Sequence, residues 1–116
     1  MSDESTQFRR PSPQELRLLA SLVSRASGLH VKPDWRETLR VRPMEDGGMG
    51  SLMLATDEAL QKPRRLFGQR AAELQFLDAD GVSVLASLNL DQNGELLELD
   101  VWKIDFSPLK RIPDDV

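Results

Sequence analysis

The stretch from Ala71 to Phe106 constrains the fold more than any other part of the chain. Two turn signals within it, Asp-Ala-Asp-Gly and Asp-Gln-Asn-Gly, separate three apolar stretches. Glycine and asparagine tolerate the positive φ angles of tight hairpin turns, and alternating apolar residues on either side are typical of strands. The pattern predicts a three-stranded antiparallel meander.

The apolar pattern also predicts how these strands are aligned. If residues 79–81 form a three-residue loop, Phe76 lies opposite Val84. A consistent alignment of the second hairpin places Leu88 opposite Leu99. The apolar side chains of all three strands then share one face, which a helix can cover.

The second turn is predicted to be shorter than the first. A two-residue turn at residues 93–94 places Leu90 opposite Leu97. A three-residue loop would instead place Glu98 opposite Leu88 and bury its carboxylate without a partner, which is unfavourable. Asn-Gly is also the preferred pair for a tight two-residue turn.

The opposite face of the meander is the predicted partner-binding surface. Glu98 and Asp100, two residues apart on one strand of this face, project to the same side. A tryptophan in the same row favours a macromolecular contact, because aromatic residues are enriched in binding hot spots. An ordinary solvated face and a catalytic or metal-binding carboxylate pair remain as alternatives. The predicted contact residues are Glu73, Gln75, Asn89, Glu98, Asp100 and Trp102.

A helix is predicted near the N-terminus from its capping chemistry. Ser12 suits the N-cap, Pro13 suits the first helical position, and Glu15 completes a capping box. Apolar residues then recur at helical spacing. Gly28 is placed to end the helix, which should run to about Ser27.

Two shorter stretches complete the predicted sheet. Residues 38–44 alternate between apolar and polar side chains, residues 51–55 are apolar, and residues 45–48 have turn chemistry. The sequence therefore predicts an α+β fold. One N-terminal helix packs on a mainly antiparallel sheet of about five strands, in the order α-β-β-β-β-β. How the first hairpin joins the meander stays open.

Length and composition predict one domain of residues 12–109, between a disordered lead-in (1–11) and a C-terminal tail (110–116). The chain has no cysteine, which excludes disulfides and thiolate metal sites. The polar N-terminus lacks a signal-peptide core, so we expect a cytoplasmic location. A net charge of −4 argues against nucleic acid and leaves a basic protein partner open.

The glycine-rich loop in residues 46–51 is the strongest candidate for a ligand contact. Such loops can direct backbone N–H groups at a phosphate. This one lacks the lysine of a P-loop, does not match GxGxxG, and leads into a predicted strand. We interpret it as a structural turn and leave a ligand contact open for Asp46, Gly47, Gly48 and Gly50.

No residue is predicted to be catalytic or to bind a metal or cofactor. Asp78, Asp80 and Gly81 resemble the start of a calcium loop, but Val82 stands at the next ligand position, so we interpret a hairpin turn. His30 is the only histidine, and no partner for acid–base or metal chemistry is placed beside it.

Two segments resemble a known family. They are residues 46–52 (DGGMGSL) and 94–109 (GELLELDVWKIDFSPL, which contains ELDVWKxDFSPL). The chain resembles small bacterial proteins known only as a domain of unknown function. The resemblance runs from the capped helix to Leu109 and implies no established activity.

The preferred functional hypothesis is a non-enzymatic protein-binding protein. Its preferred form is a cytoplasmic immunity protein that blocks a bacterial toxin, by analogy of size and acidity rather than motif. The acidic face would meet a basic surface of the toxin. The alternatives are a structural or regulatory homodimer, and a small-ligand-binding protein or enzyme that uses the glycine loop.

Overall fold

The computed structural model describes residues 7–116, so residues 1–6 of the predicted lead-in lie outside the described part. The predicted α+β class with an antiparallel five-stranded sheet is confirmed. A 3-10 turn (Ala59–Gln61) lies between the second and third strands. The other elements are α1 (Pro13–Arg25), α2 (Trp35–Thr38), β1 (Leu39–Pro43), β2 (Leu52–Thr56), β3 (Phe67–Leu77), β4 (Ser83–Asp91) and β5 (Leu96–Lys103).

Helix α1 begins with the predicted capping box. The Ser12 hydroxyl accepts a hydrogen bond from the Glu15 N–H at 3.1 Å, and the Glu15 carboxylate accepts one from the Ser12 N–H at 2.8 Å. These bonds satisfy backbone donors that have no partner within the helix. The helix then buries Leu18, Leu19 and Leu22 completely against the sheet.

The end of α1 differs from the prediction. The helix stops at Arg25, and Ala26 already has an extended conformation. The Ser27 N–H donates instead to the Ala71 carbonyl of β3, at 3.4 Å, so contact with the sheet replaces the last helical turn. Gly28 does have a positive φ of 75°, but it lies beyond the helix cap.

The sheet has the strand order β1-β2-β5-β4-β3, with every neighbouring pair antiparallel. Strands β3, β4 and β5 are consecutive neighbours, but β5 lies in the middle of the sheet, because β2 joins it from the other side. The arrangement therefore matches the predicted meander in part. Helix α1 covers the apolar face, and we call the opposite side the outer face.

The first hairpin of the meander has the predicted alignment. Phe76 pairs with Val84 across residues 79–81. The Asp78 N–H donates to the Val82 carbonyl at 2.9 Å and closes this three-residue loop. Two register shifts near the start of β3, between Phe67 and Gln69 and between Arg70 and Ala72, leave this part of the ladder regular.

The prediction of a two-residue second turn is wrong. Residues 92–94 form a three-residue loop, closed by a 2.8 Å bond from the Asp91 N–H to the Glu95 carbonyl. The Gly94 N–H donates back to the Asp91 carbonyl, and Gly94 has a φ of 79°. Both glycine turns of the meander therefore have the same length and hydrogen-bond pattern.

A β-bulge restores the alignment after this loop. Leu90 pairs with Leu96 rather than with Leu97, and the ladder shifts by one residue before Glu98. The extra residue keeps Leu88 opposite Leu99, as predicted. Glu98 thus stays on the outer face, although the longer loop alone would have turned it inward.

Strands β2 and β5 pair at only two residue positions. At each end of this short ladder, a side chain makes hydrogen bonds to the backbone. At one end the Ser51 hydroxyl accepts from the Val101 N–H at 2.9 Å and donates to its carbonyl at 3.2 Å. At the other end the Arg65 guanidinium donates to the carbonyls of Leu54 and Leu96. Within residues 7–116 no helix is long and apolar enough to cross a membrane.

Candidate functional site

The outer face brings most of the predicted contact residues into two neighbouring rows. Glu73 lies in one row with Ser87 and Asp100, and Gln75 lies in the next row with Trp102. Because side chains alternate along each strand, all of them project away from α1. Glu73, Gln75, Asp100 and Trp102 are exposed to solvent.

Asn89 and Glu98 occupy a different position on this face. Asn89 is buried, and its side-chain amide donates to the Glu98 carboxylate at 3.2 Å. Asn89 therefore holds Glu98 in place on β5, while Glu98 itself is half-buried. The solvent-accessible part of the outer face therefore lies around Asp100 and Trp102 rather than around Asn89 and Glu98.

An exposed apolar cluster surrounds Trp102 and was missed by the sequence analysis. The rings of Trp102 and Phe106 have their centroids 5.9 Å apart, and Phe106 is 67% exposed. The alternation of Trp102, Ile104 and Phe106 past the strand end was the signal that could have revealed it. We call this cluster the Trp102 patch; its exposed members are Leu77, Trp102, Ile104 and Phe106, and the half-buried Leu85 pairs with Trp102 across β4 and β5.

Phe106 is held in an unusual backbone conformation. Its φ of 63° makes it the non-glycine residue with positive φ among residues 7–116. The Asp105 carboxylate accepts hydrogen bonds from the Ser107 hydroxyl and N–H, at 2.6 and 3.0 Å, and so constrains the turn around Phe106. These two bonds lower the pKa of Asp105, so it stays charged. Strained conformations of this kind cluster at functional sites.

The charges beside the Trp102 patch are only partly neutralised. Glu73 makes a 3.4 Å contact with Arg70. Asp100 is exposed and makes no ion pair within the described part of the chain. The patch thus has a free carboxylate on its border, together with the Asp105 carboxylate next to Phe106.

The glycine loop directs its backbone N–H groups inward. The Asp46 carboxylate accepts hydrogen bonds from the N–H groups of Gly48, Met49 and Ser51, at 3.2, 3.1 and 2.8 Å. These donors are therefore occupied by a side chain of the loop itself. The interpretation of the loop as a structural turn stays a prediction, with a ligand contact of Asp46 and the glycines as the alternative.

The same loop supports the segment that follows β5. The Leu109 N–H donates to the Gly48 carbonyl at 3.0 Å. A Cβ on Gly50 would lie 3.0 Å from the Leu109 side chain, and one on Gly48 would lie 3.3 Å from Pro108. The two recognised sequence motifs, which are far apart in the chain, therefore contact each other here.

Replacing Gly50 by alanine is expected to lower the free energy of unfolding by about 2–3 kcal/mol, because a positive φ of 103° is combined with a crowded Cβ position. Gly47→Ala is the matched control. Gly47 also has a positive φ, but no atom lies within 4 Å of its Cβ position, so we expect a loss of about 1 kcal/mol. Urea unfolding compares the two, and equal losses would contradict the contact with Leu109.

A buried ion cluster was also missed by the sequence analysis. Lys103 is completely buried, and its Nζ lies 2.8 Å from the Asp78 carboxylate and 2.6 Å from that of Asp80. It also donates to the Pro108 carbonyl at 3.2 Å. The two aspartates of the first glycine turn therefore both form ion pairs with a lysine of β5.

The ion cluster holds the C-terminal segment on the domain. The Asp78 carboxylate accepts from the N–H groups of Lys110 and Arg111, at 2.7 and 3.0 Å. Ile112 and Val116 pack against the core. Residues 110–116, which the sequence interpretation placed in a tail, are thus in contact with the domain.

Burial alone would raise the pKa of Asp78. The hydrogen bonds from Lys103 and from the N–H groups of Lys110, Ala79 and Arg111 outweigh burial and hold this pKa far below its ordinary value. Burial alone would lower the pKa of Lys103. The hydrogen bonds to its two carboxylate partners outweigh burial and raise this pKa above its ordinary value. Both groups therefore stay charged.

A pocket of about 670 Å³ lies between the segment after α1 and the β4–β5 loop region. Its apolar lining includes Leu29, Trp35 and Leu96, and its rim carries His30. The backbone N–H of His30 donates a hydrogen bond to the Gly94 carbonyl at 2.7 Å. Within residues 7–116 no three side chains of histidine, aspartate or glutamate are grouped as a metal site.

Comparison with known proteins identifies a family. No curated protein and no solved structure matches the chain. A family model described as "Domain of unknown function (DUF6984)" matches residues 8–113, which include both recognised motifs, the ion cluster and the Trp102 patch. Since the match covers most of the sequence, the chain belongs to the DUF6984 family.

Proposed function

We propose that this chain is a non-enzymatic protein-binding protein that uses the Trp102 patch to bind a basic protein surface. The observation that carries the proposal is the exposed pair of Trp102 and Phe106 beside the unpaired Asp100. A contiguous apolar patch with a polar border is typical of interaction surfaces. Tryptophan at the centre of such a patch is typical of a binding hot spot.

The charges favour a basic partner. Asp100 and Asp105 border the patch, and the whole chain has a net charge of −4. Complementary charge accelerates association and excludes partners of like charge. Because Asp100 has no ion pair within the described residues, a partner cation can bind it without displacing an internal one.

A bacterial toxin neutralised in the cytoplasm is the partner class that small size and acidity favour, by analogy alone. A reading frame encoding a secreted toxin beside this gene would support this form of the proposal. Co-expression of the two proteins tests it directly. Growth that is restored by the wild type but not by Asp100→Lys supports neutralisation, whereas unchanged growth inhibition contradicts it.

The binding surface is tested by affinity capture from the source cells with three variants. Trp102→Ala and Asp100→Lys alter the proposed surface, while Phe67→Ala is the matched control, since Phe67 is also exposed but lies outside the patch. We expect one protein to be retained by the wild type and by Phe67→Ala and lost by the other two. Loss of a hot-spot tryptophan removes about 2 kcal/mol or more, roughly a thirtyfold rise in Kd.

The affinity and the association rate of the captured protein are then measured by surface plasmon resonance at several salt concentrations. Asp100→Lys should reduce the association rate and its dependence on salt, because it reverses a charge at the border of the surface. A captured partner that binds all four proteins with equal affinity would contradict the proposed surface.

A further inference from the structure

The outer edge of β3 has unpaired backbone groups between Glu73 and Leu77. Along an antiparallel ladder, hydrogen-bonded residue pairs alternate with non-hydrogen-bonded pairs, in which the backbone N–H and C=O groups point away from the partner strand. The bond from the Asp78 N–H to the Val82 carbonyl marks one bonded pair, so alternate pairs along β3 are also bonded. The N–H and C=O groups of Glu73, Gln75 and Leu77 therefore point away from β4.

The two edges of the sheet differ in how they are protected. At the β1 edge, Val41 exchanges hydrogen bonds of 2.7 and 2.8 Å with Arg9. At the β3 edge, the Ser27 N–H reaches the Ala71 carbonyl, and within residues 7–116 no other backbone group bonds to this edge. An unprotected edge of this kind is a template for another strand.

We propose that the edge of β3 from Glu73 to Leu77 pairs antiparallel with the same edge of a second copy of this chain. A two-fold axis at Gln75 uses all three outward-facing residues. Centring the pair on residue 73 would require the occupied carbonyl of Ala71, and centring it on Leu77 would extend into the turn. Gln75 is therefore the centre that satisfies the most backbone groups.

The side chains of this alignment are self-complementary. On the outer face, Glu73 lies opposite Leu77 of the second copy, and Gln75 lies opposite its own equivalent, so no like charges meet. On the inner face, Leu74 lies opposite Phe76 of the second copy. Leu77 is 63% exposed in the single chain, and pairing covers it.

Space for the second strand is present beside the edge. A groove of about 490 Å³ runs between β3, α1 and the C-terminal residues. Arg25 and Asp115 line it, and neither makes an ion pair within the described residues. Because the two-fold axis passes through Gln75, which also lines this groove, pairing brings the free cation and the free carboxylate of each copy close to the shared boundary.

Charge substitutions at Leu77 test the alignment by sedimentation of the full chain. Leu77→Glu places two carboxylates opposite each other twice in the dimer, so we expect the dissociation constant to rise roughly tenfold or more. Leu77→Lys places an ammonium opposite Glu73 and should leave the dimer intact or strengthen it. Phe67→Glu is the matched control, because Phe67 is exposed on the same strand outside the paired segment.

Cross-linking gives a second and independent measurement. The chain contains no cysteine, so Gln75→Cys introduces a single thiol at the two-fold axis. Paired residues lie within disulfide distance, so oxidation should yield a covalent dimer. Phe67→Cys should remain monomeric under the same conditions.

Three outcomes would overturn the proposal: a wild type that sediments as a monomer at about 100 μM, equal effects of Leu77→Glu and Leu77→Lys, or equal cross-linking of Gln75→Cys and Phe67→Cys. The proposed edge shares only Leu77 with the Trp102 patch, and it uses neither Trp102 nor Asp100. Trp102→Ala and Asp100→Lys should leave the dimer unchanged. Failure of the proposed dimer can therefore be distinguished from failure of the proposed partner binding.

Discussion

Replacing Arg65 by methionine is expected to lower the free energy of unfolding by about 3–5 kcal/mol, because it leaves the buried Asp91 carboxylate without its cationic partner. The Arg65 Nε donates to the Asp91 carboxylate at 3.1 Å, and the Asp91 side chain is completely buried. The same guanidinium satisfies the carbonyls of Leu54 and Leu96, where β2 and β5 separate. Methionine preserves the apolar stem but none of these three bonds.

Arg64→Met is the matched control for this prediction. Arg64 is the adjacent residue, is exposed, and makes no ion pair within residues 7–116. We expect its replacement to change the unfolding free energy by less than about 0.5 kcal/mol. Arg65→Lys should give a loss of about 1–2 kcal/mol, since one ammonium cannot reproduce the planar guanidinium. Similar urea midpoints for Arg64→Met and Arg65→Met would contradict the role of Arg65.

Replacing Asp78 by alanine is the second large effect, and we expect the Tm to fall by roughly 10–20 °C. The change leaves Lys103 buried with one carboxylate fewer and removes the acceptor for the N–H groups of Lys110 and Arg111. Hydrogen exchange at those two amides should therefore accelerate together with the loss of stability. Calorimetry and exchange on the same sample measure both.

The Asp80→Ala variant distinguishes the contribution of the buried Asp78 carboxylate to stability from that of its more exposed neighbour, Asp80. Asp80 contacts Lys103 at the shorter distance, but its side chain is 27% exposed and does not bind the C-terminal segment. We expect a Tm loss of a few degrees, roughly the value of one charged hydrogen bond. Protection of Lys110 and Arg111 should persist, and its loss in Asp80→Ala would contradict the assignment to Asp78.

The low pKa of Asp78 also makes stability depend on pH. The unfolded chain binds a proton on Asp78 near pH 3.9, roughly the ordinary value, whereas the folded chain does so at much lower pH. The unfolded state therefore holds more protons between these values, and stability falls as the pH drops below about 4. The difference in Tm between the wild type and Asp78→Ala should narrow over the same range.

Local patterns predicted the parts of the fold that depend on neighbouring residues. The capping box of Ser12 and Glu15 involves three consecutive peptide units, and the first hairpin depends on one loop and on apolar alternation. The second turn shows where this reasoning stops. The unfavourable burial of Glu98 was correctly recognised, but the chain avoids it with a bulge at Leu97 rather than with a shorter turn. Either solution satisfies the same pattern.

The candidate surface was predictable only in outline. Strand parity placed Asp100 and Trp102 on one face, because side chains alternate along any strand. The position of Phe106 depends on a turn with positive φ, and its contact with Trp102 could not be read from alternation alone. Likewise, neither Asp78 nor Lys103 is unusual in the sequence, and they meet only when the sheet forms.

The sequence by itself determined the capped helix, the apolar and polar faces of the meander, and the α+β class, since each depends on periodicity or on contacts between near neighbours. Only the tertiary structure decided that β2 joins β5, that Arg65 bridges their separation, and that Asp78 holds the C-terminal segment. These contacts join residues from 11 positions apart (Leu54 and Arg65) to 47 positions apart (Leu52 and Leu99) in the chain. Many pairings at such separations are compatible with the same local pattern, and packing of the whole sheet selects among them.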